Sequence, residues 1–95
     1  PEWCGGISEA LKIAELVAQY DRVKFIPHGH QALAASHVVA SHSEDLCPMV
    51  EHGQAWLPGT QRAQTRTLKV EAGSLAVPPE PGLGPDIDFR RFSRQ

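Results

Sequence analysis

The chain has 95 residues, and its 9 Lys+Arg against 11 Asp+Glu give a net charge of −2, which argues against the basic face that holds a nucleic acid. Its basic residues are scattered, apart from Arg90, Arg91 and Arg94 near the end. No apolar run approaches the ~20 residues that span a bilayer, and no basic stretch followed by an apolar one opens the chain, so a soluble, cytoplasmic protein without a membrane partner is expected.

Cys4 and Cys47 stand far apart with no C-x-x-C spacing, which predicts free thiols rather than a disulfide framework or a thiolate zinc site. The start is unusual for a self-contained domain. Pro1 leads directly into Trp3, Cys4 and Gly5-Gly6, which reads as the end of a buried element, so a preceding segment is expected.

Ser8 is a favourable N-cap, and Ala10, Leu11, Ile13, Ala14, Leu16, Val17 and Tyr20 recur at three- and four-residue spacing, which predicts an amphipathic helix over 8–20. After the Asp21-Arg22 turn, Val23, Phe25 and Ile26 form a β-favouring run stopped by Pro27, so a short buried strand is expected. The Ala-rich stretch from Gln31 to Ser41, with Leu33, Val38 and Val39 as its stripe, predicts a second helix. Cys47, Pro48, Met49 and Val50 read as a second short strand, ending at Glu51 and His52. Helix, strand, helix and strand in alternation predict an α/β fold whose chemistry lies beyond the carboxyl ends of the strands. His28 and Glu51 each follow such an end.

From Gly53 to Thr67 the periodicity fades and a loop is expected. Leu68–Glu71 and Leu75–Val77 flank Ala72-Gly73-Ser74 as a hairpin, and the prolines and glycines from Pro78 to Pro85 oppose regular structure. An extended polar tail closes the chain from Asp86 to Gln95.

Five histidines are dense for this length, and four of them fall between positions 28 and 42. His28 and His30 share the H-x-H spacing of a metal pair, whereas His37 and His42 would diverge by about 140° on a helix and suit one metal poorly. The latter two read as partly exposed helix residues. His28 follows a strand and a proline, and Gly29 beside it lets a ligand approach the backbone closely, the setting of an acid or base at the mouth of an α/β site as well as of a structural histidine. Glu51 is a carboxylate at a strand end, readable as a solvated terminator or as a functional group. Trp3 and Trp56 read as packing residues or pocket walls. Gly5-Gly6 lacks the G-x-G-x-x-G pattern of a dinucleotide site, and no P-loop or G-x-S-x-G occurs.

Trp3-Cys4-Gly5-Gly6-Ile7-Ser8-Glu9, Leu11-Lys12-Ile13, Ile26-Pro27-His28-Gly29, Cys47-Pro48-Met49-Val50-Glu51 and Pro81-Gly82-Leu83-Gly84 follow one another in an order that resembles the C-terminal part of the enolase superfamily. More narrowly, the chain is similar to acid-sugar dehydratases of the mandelate racemase subgroup, such as L-rhamnonate dehydratase. The resemblance implies a (β/α)8 TIM-type barrel of ~250 residues with a separate capping domain. Residues 1–52 would supply helix 6, strand 7 (Val23–Ile26), helix 7 and strand 8 (Met49–Val50). Residues 53–95 would form an irregular connection, the hairpin and a tail returning toward the capping domain. The chain would then be a fragment, inactive by itself and exposing apolar faces.

The activity so implied is Mg²⁺-dependent removal of the proton alpha to a carboxylate, followed by loss of the β-hydroxyl as water to give a 2-keto-3-deoxy acid. His28 matches the family's general acid or base, Glu51 its contact to the substrate carboxylate, and His30 a further substrate-binding residue. The aspartate that pairs with the histidine in the family falls at the position immediately before Pro1. Glu2 is one residue off that slot, and on a strand such a shift turns a side chain to the opposite face. The Mg²⁺ ligands are expected outside this chain, so no metal ligand is assigned within it. The implied partners are an acid-sugar substrate, the remainder of the barrel and capping domain, and further copies in a homo-oligomer. A racemase or epimerase of the same superfamily is the nearest alternative, and a small histidine-rich metal-binding module is the alternative from another class.

Overall fold

The fold is given by a computed structural model that describes residues 1–30 and 32–91. Gln31, where the second helix is expected to begin, and residues 92–95, which hold Arg94 and the end of the tail, lie outside the described residues.

The first helix, α1, spans Ile7–Val17 and is capped by Gly6 rather than by Ser8. Gly6 sits at φ 96°, a conformation open to glycine at little cost. Its N–H closes a turn onto the Pro1 carbonyl at 2.9 Å, and its carbonyl starts the helical ladder by accepting from Ala10 at 3.1 Å. Beyond Val17 the bonds shorten to the i−3 pattern, with Gln19 donating to Leu16 and Tyr20 to Val17, so residues 18–20 are turns rather than helix.

The second helix, α2, spans Ala32–Ala40 and packs on α1. Ala10 and Ala14 of α1, one turn apart, are fully buried, as are Ala35 and Val38 of α2. Alanines at i and i+4 make a shallow stripe that lets two helix backbones come close. Only that stripe is covered: Ile13, Leu16 and Tyr20, expected on the core face, are exposed. Helix α2 is apolar on most sides and correspondingly buried, and the hydroxyl of its buried Ser36 donates to the Leu33 carbonyl at 2.7 Å.

The expected strands at 23–26 and 47–50 are not strands. Both segments run without a ladder among the described residues, and Val23, Ile26 and Met49 are half exposed. A single backbone bond, Phe25 N–H to Leu46 carbonyl at 2.9 Å, joins their neighbourhood, together with Lys24 Nζ donating to the Asp45 carbonyl. A strand buried in a parallel sheet needs hydrogen-bonding neighbours along both edges, and these residues do not supply them to one another. The fold class is α/β, but among the described residues the sheet has two strands and does not close into a barrel.

Those two strands are the hairpin, β1 at Val70–Glu71 and β2 at Ser74–Leu75, with Val70 opposite Leu75 and Glu71 opposite Ser74. Ser74 belongs to the strand rather than the turn. Ala72 and Gly73 both have positive φ, 49° and 77°, as a two-residue type I′ connection requires. The expected loop between Gly53 and Thr67 contains a short helix, α3, at Leu57–Thr60.

The segment after the hairpin is tied back to this region. Gln64 and Ile87 form an antiparallel bridge, Thr65 donates to the Asp86 carbonyl at 2.8 Å and Asp88 to that of Ala63 at 2.7 Å. A 3-10 turn follows at Phe89–Arg91, so the described part of the tail is not simply extended. Arg66 pairs with Glu80, and Arg91 donates to the carbonyls of Arg62 and Gln64 at 2.8 and 3.1 Å, while Asp88 pairs with Arg90 and Arg91 inside the tail. Hydrogen bonding from the Arg90 guanidinium holds the Asp88 carboxyl below the usual carboxylate range, and Arg66 does the same for Glu80. His37 on α2 reaches the Pro81-Gly82-Leu83-Gly84 stretch, its Nε2 donating to the Leu83 carbonyl at 3.2 Å. His42 Nδ1 bonds the Val38 carbonyl at 2.7 Å and closes the end of α2. Both histidines are partly exposed, as expected, but each carries a hydrogen bond to a backbone carbonyl that the spacing does not predict, and His42 lies just past the end of α2.

Candidate active site

The chain leaves Ile26 through buried Pro27 and presents four residues in succession, with Pro27 and Gly29 inward and His28 and His30 outward. The alternation follows from extended backbone, which sends successive side chains to opposite sides. His28 Nδ1 meets Glu51 Oε2 directly. Both side chains are accessible, 71% for His28 and 47% for Glu51, so the pair stands on an open rim and is not sealed in the core. A carboxylate on Nδ1 fixes the tautomer and the ring orientation.

His30 does not join His28 around a metal. Its backbone N–H donates to Glu2 Oε2 at 2.9 Å, and the same oxygen lies 3.5 Å from its Nδ1. Glu2, one place from the slot of the expected dyad partner, therefore engages His30 and not His28. Room for this carboxylate comes from Gly29, where a Cβ would fall 3.2 Å from Glu2 Cδ and Oε1. The close approach expected at Gly29 is taken by a side chain of this chain.

Trp3 and Trp56 stand against His30, with ring centroids 6.0 Å and 5.2 Å away and the second ring edge-on at 75°. They are 78% and 61% exposed, so they wall the His30 surroundings and do not fill the core. Pocket wall is one of the two sequence readings of Trp3 and Trp56, whereas no motif or spacing links Glu2 to His30, 28 positions away. His52 turns to the other side, into a cleft with Met49, Val50, Val70 and Leu75.

Among the described residues, no three His, Cys, Asp or Glu side chains gather where a metal ion could be held. The histidine-rich metal-binding alternative thus has no ligand set. No helix is long and apolar enough to cross a membrane among the described residues. Burial pushes the Cys47 thiol above its ordinary value, and both cysteines are free thiols.

No solved structure matches the chain. Among curated proteins, D-galactarolactone cycloisomerase of Agrobacterium fabrum is 32% identical over 95 residues, an alignment that covers 90% of this chain and 25% of that protein. The chain thus spans about a quarter of the length of the relative it matches. The family model described as enolase C-terminal domain-like matches residues 1–91, and the chain belongs to that family.

Proposed function

We propose that this chain supplies the acid–base element of an enzyme that removes and returns the proton alpha to the carboxylate of a sugar acid or its lactone. The single observation that supports it is the direct contact of His28 with Glu51 on an accessible rim. In this reading the fold is the last quarter of a (β/α)8 barrel, whose missing strands would pair with the segments at 23–26 and 47–50.

The step is a transfer between carbon and nitrogen. Neutral His28 accepts the α-proton at Nε2, the C–H electron pair moves into the carboxylate as an enediolate, and the imidazolium so formed is stabilised by Glu51 on its Nδ1 side. Glu51 also stands next to the substrate carboxylate. Two bare carboxylates repel, but an imidazolium–carboxylate pair is neutral overall and removes that obstacle as charge develops. Return of that proton from His28 restores the substrate; an isomerised acid forms when a second group, proposed on the rest of the protein, delivers a proton to the opposite face of the same carbon. Loss of a β-hydroxyl as water is the dehydratase outcome that the resemblance implies. The similarity to a cycloisomerase favours isomerisation over it. A magnesium ion, also implied by the resemblance, finds no ligand set among the described residues, and its ligands are proposed on the rest of the protein.

The test uses the complete polypeptide that carries this chain, incubated in deuterium oxide with D-galactarolactone and with open-chain six-carbon sugar acids. Wild type is expected to place deuterium at the α-carbon, and His28→Asn to do so ~10²- to 10⁴-fold more slowly. Equal rates would overturn the assignment. With the open-chain acids as substrates, a product that keeps all its oxygens supports isomerisation, and a 2-keto-3-deoxy acid formed with loss of water returns the dehydratase.

A further inference from the structure

The cluster around His30 has features that the acid–base pair does not use. It joins a carboxylate to an imidazole for a second time, on the same four-residue segment, and sets two accessible indoles against that ring. Buried Gly29 makes the arrangement possible, because any side chain there would meet Glu2. Glu2 is anchored at the turn whose ends are joined by Gly6 N–H and Pro1 carbonyl, so it holds both the backbone and the ring of His30 from a fixed point.

We propose that His30, held by Glu2 and walled by Trp3 and Trp56, is the specificity residue that hydrogen-bonds the substrate's hydroxyls distal to its carboxylate. The proposal rests on the acid–base reading of His28 and Glu51. Two residues of chain put the His28 and His30 α-carbons at most ~7 Å apart, within the reach of a six-carbon acid from its α-carbon to its far hydroxyls. Imidazole both donates and accepts hydrogen bonds, which suits a hydroxyl. Indole faces offer flat apolar surface to the C–H side of a sugar or lactone ring while leaving its hydroxyls to the polar group between them. Glu2 is a positioning residue here: it fixes which way the His30 ring faces.

Binding is measured by calorimetry with D-galactarolactone and with its open-chain acid, on the complete polypeptide carrying His28→Asn so that ligand is not consumed. Adding His30→Ala is expected to weaken binding about tenfold or more, the loss typical of a hydrogen bond to a buried or oriented partner. Glu2→Ala is expected to weaken it in the same direction, whereas Glu2→Gln, whose amide oxygen accepts the same bond, stays within about threefold. In the protein with His28 intact, His30→Ala raises KM by the same factor and changes kcat by less than about threefold. Unchanged binding in His30→Ala, equal damage by Glu2→Ala and Glu2→Gln, or a fall in kcat with KM unaltered would overturn the proposal. Turnover like wild type in His28→Asn overturns the acid–base reading and this proposal with it, whereas an inactive His28→Asn whose ligand binding is unaffected by His30→Ala overturns this proposal alone.

Discussion

His28 and Glu51 are 23 positions apart in the chain and touch through Nδ1 and Oε2, with both side chains open to solvent. Exposed ion pairs contribute ~0–1 kcal/mol to stability. Glu51→Gln is therefore expected to leave the unfolding midpoint of the complete protein nearly unchanged while lowering turnover at least tenfold. Chemical denaturation and α-proton exchange, measured on the same sample, check both halves.

Gly29 admits the Glu2 carboxylate with little to spare, since an added Cβ would lie 3.2 Å from it. The obstacle is the end of a flexible side chain, so Gly29→Ala is expected to cost less than about 1 kcal/mol of stability, in the range of ordinary surface changes or slightly above. Its effect is local: Glu2 is displaced and the His30 amide loses its acceptor. An upfield shift of that amide in a nitrogen-correlated NMR spectrum, with the helix amides unmoved, is the expected result.

The interface between α1 and α2 is built on Ala10 and Ala14, which leave no accessible surface. Ala14→Leu forces added methyl and methylene groups into a filled contact and is expected to destabilise by about 1–3 kcal/mol. Ala40→Leu, at an exposed position of α2, should be near neutral because leucine is also a good helix former. Denaturant midpoints of the two variants separate packing from propensity.

His37 joins α2 to Leu83 over 46 positions. His37→Ala removes the donor to that carbonyl, and the expected cost is about 0.5–1.5 kcal/mol. Faster amide exchange through residues 81–91, with α1 unaffected, would be its signature.

Asp88 and Glu80 are held below the usual carboxylate range by Arg90 and Arg66. A carboxyl whose folded value is lowered stabilises the fold fully above its unfolded value and loses that contribution as pH falls through the folded one. Acidification from about pH 4 downward, below the ordinary carboxylate range, is expected to release residues 80–91 before the helices unfold. Limited proteolysis against pH, with a smaller acid effect in Asp88→Asn and the smallest in Asp88→Asn combined with Glu80→Gln, checks the direction.

The helices were legible from the chain because a helix is satisfied by its own residues: the i, i+3, i+4 spacing of Ala10, Leu11, Ala14 and Val17 and the Ala-rich run after Gln31 locate α1 and α2 to within a turn. The hairpin was legible for a similar reason, since Ala72-Gly73 supplies both left-handed residues locally. The same order of motifs marked His28 and Glu51 as the residues to watch. Whether 23–26 and 47–50 become strands was not legible, because a strand exists only with partners that its own sequence does not contain. The tertiary structure alone decided that Glu51 would meet His28 and that Glu2, Trp3 and Trp56 would enclose His30. Those contacts join residues more than twenty positions apart, and their geometry is set by how the segments come together in space, which no periodicity along the chain encodes.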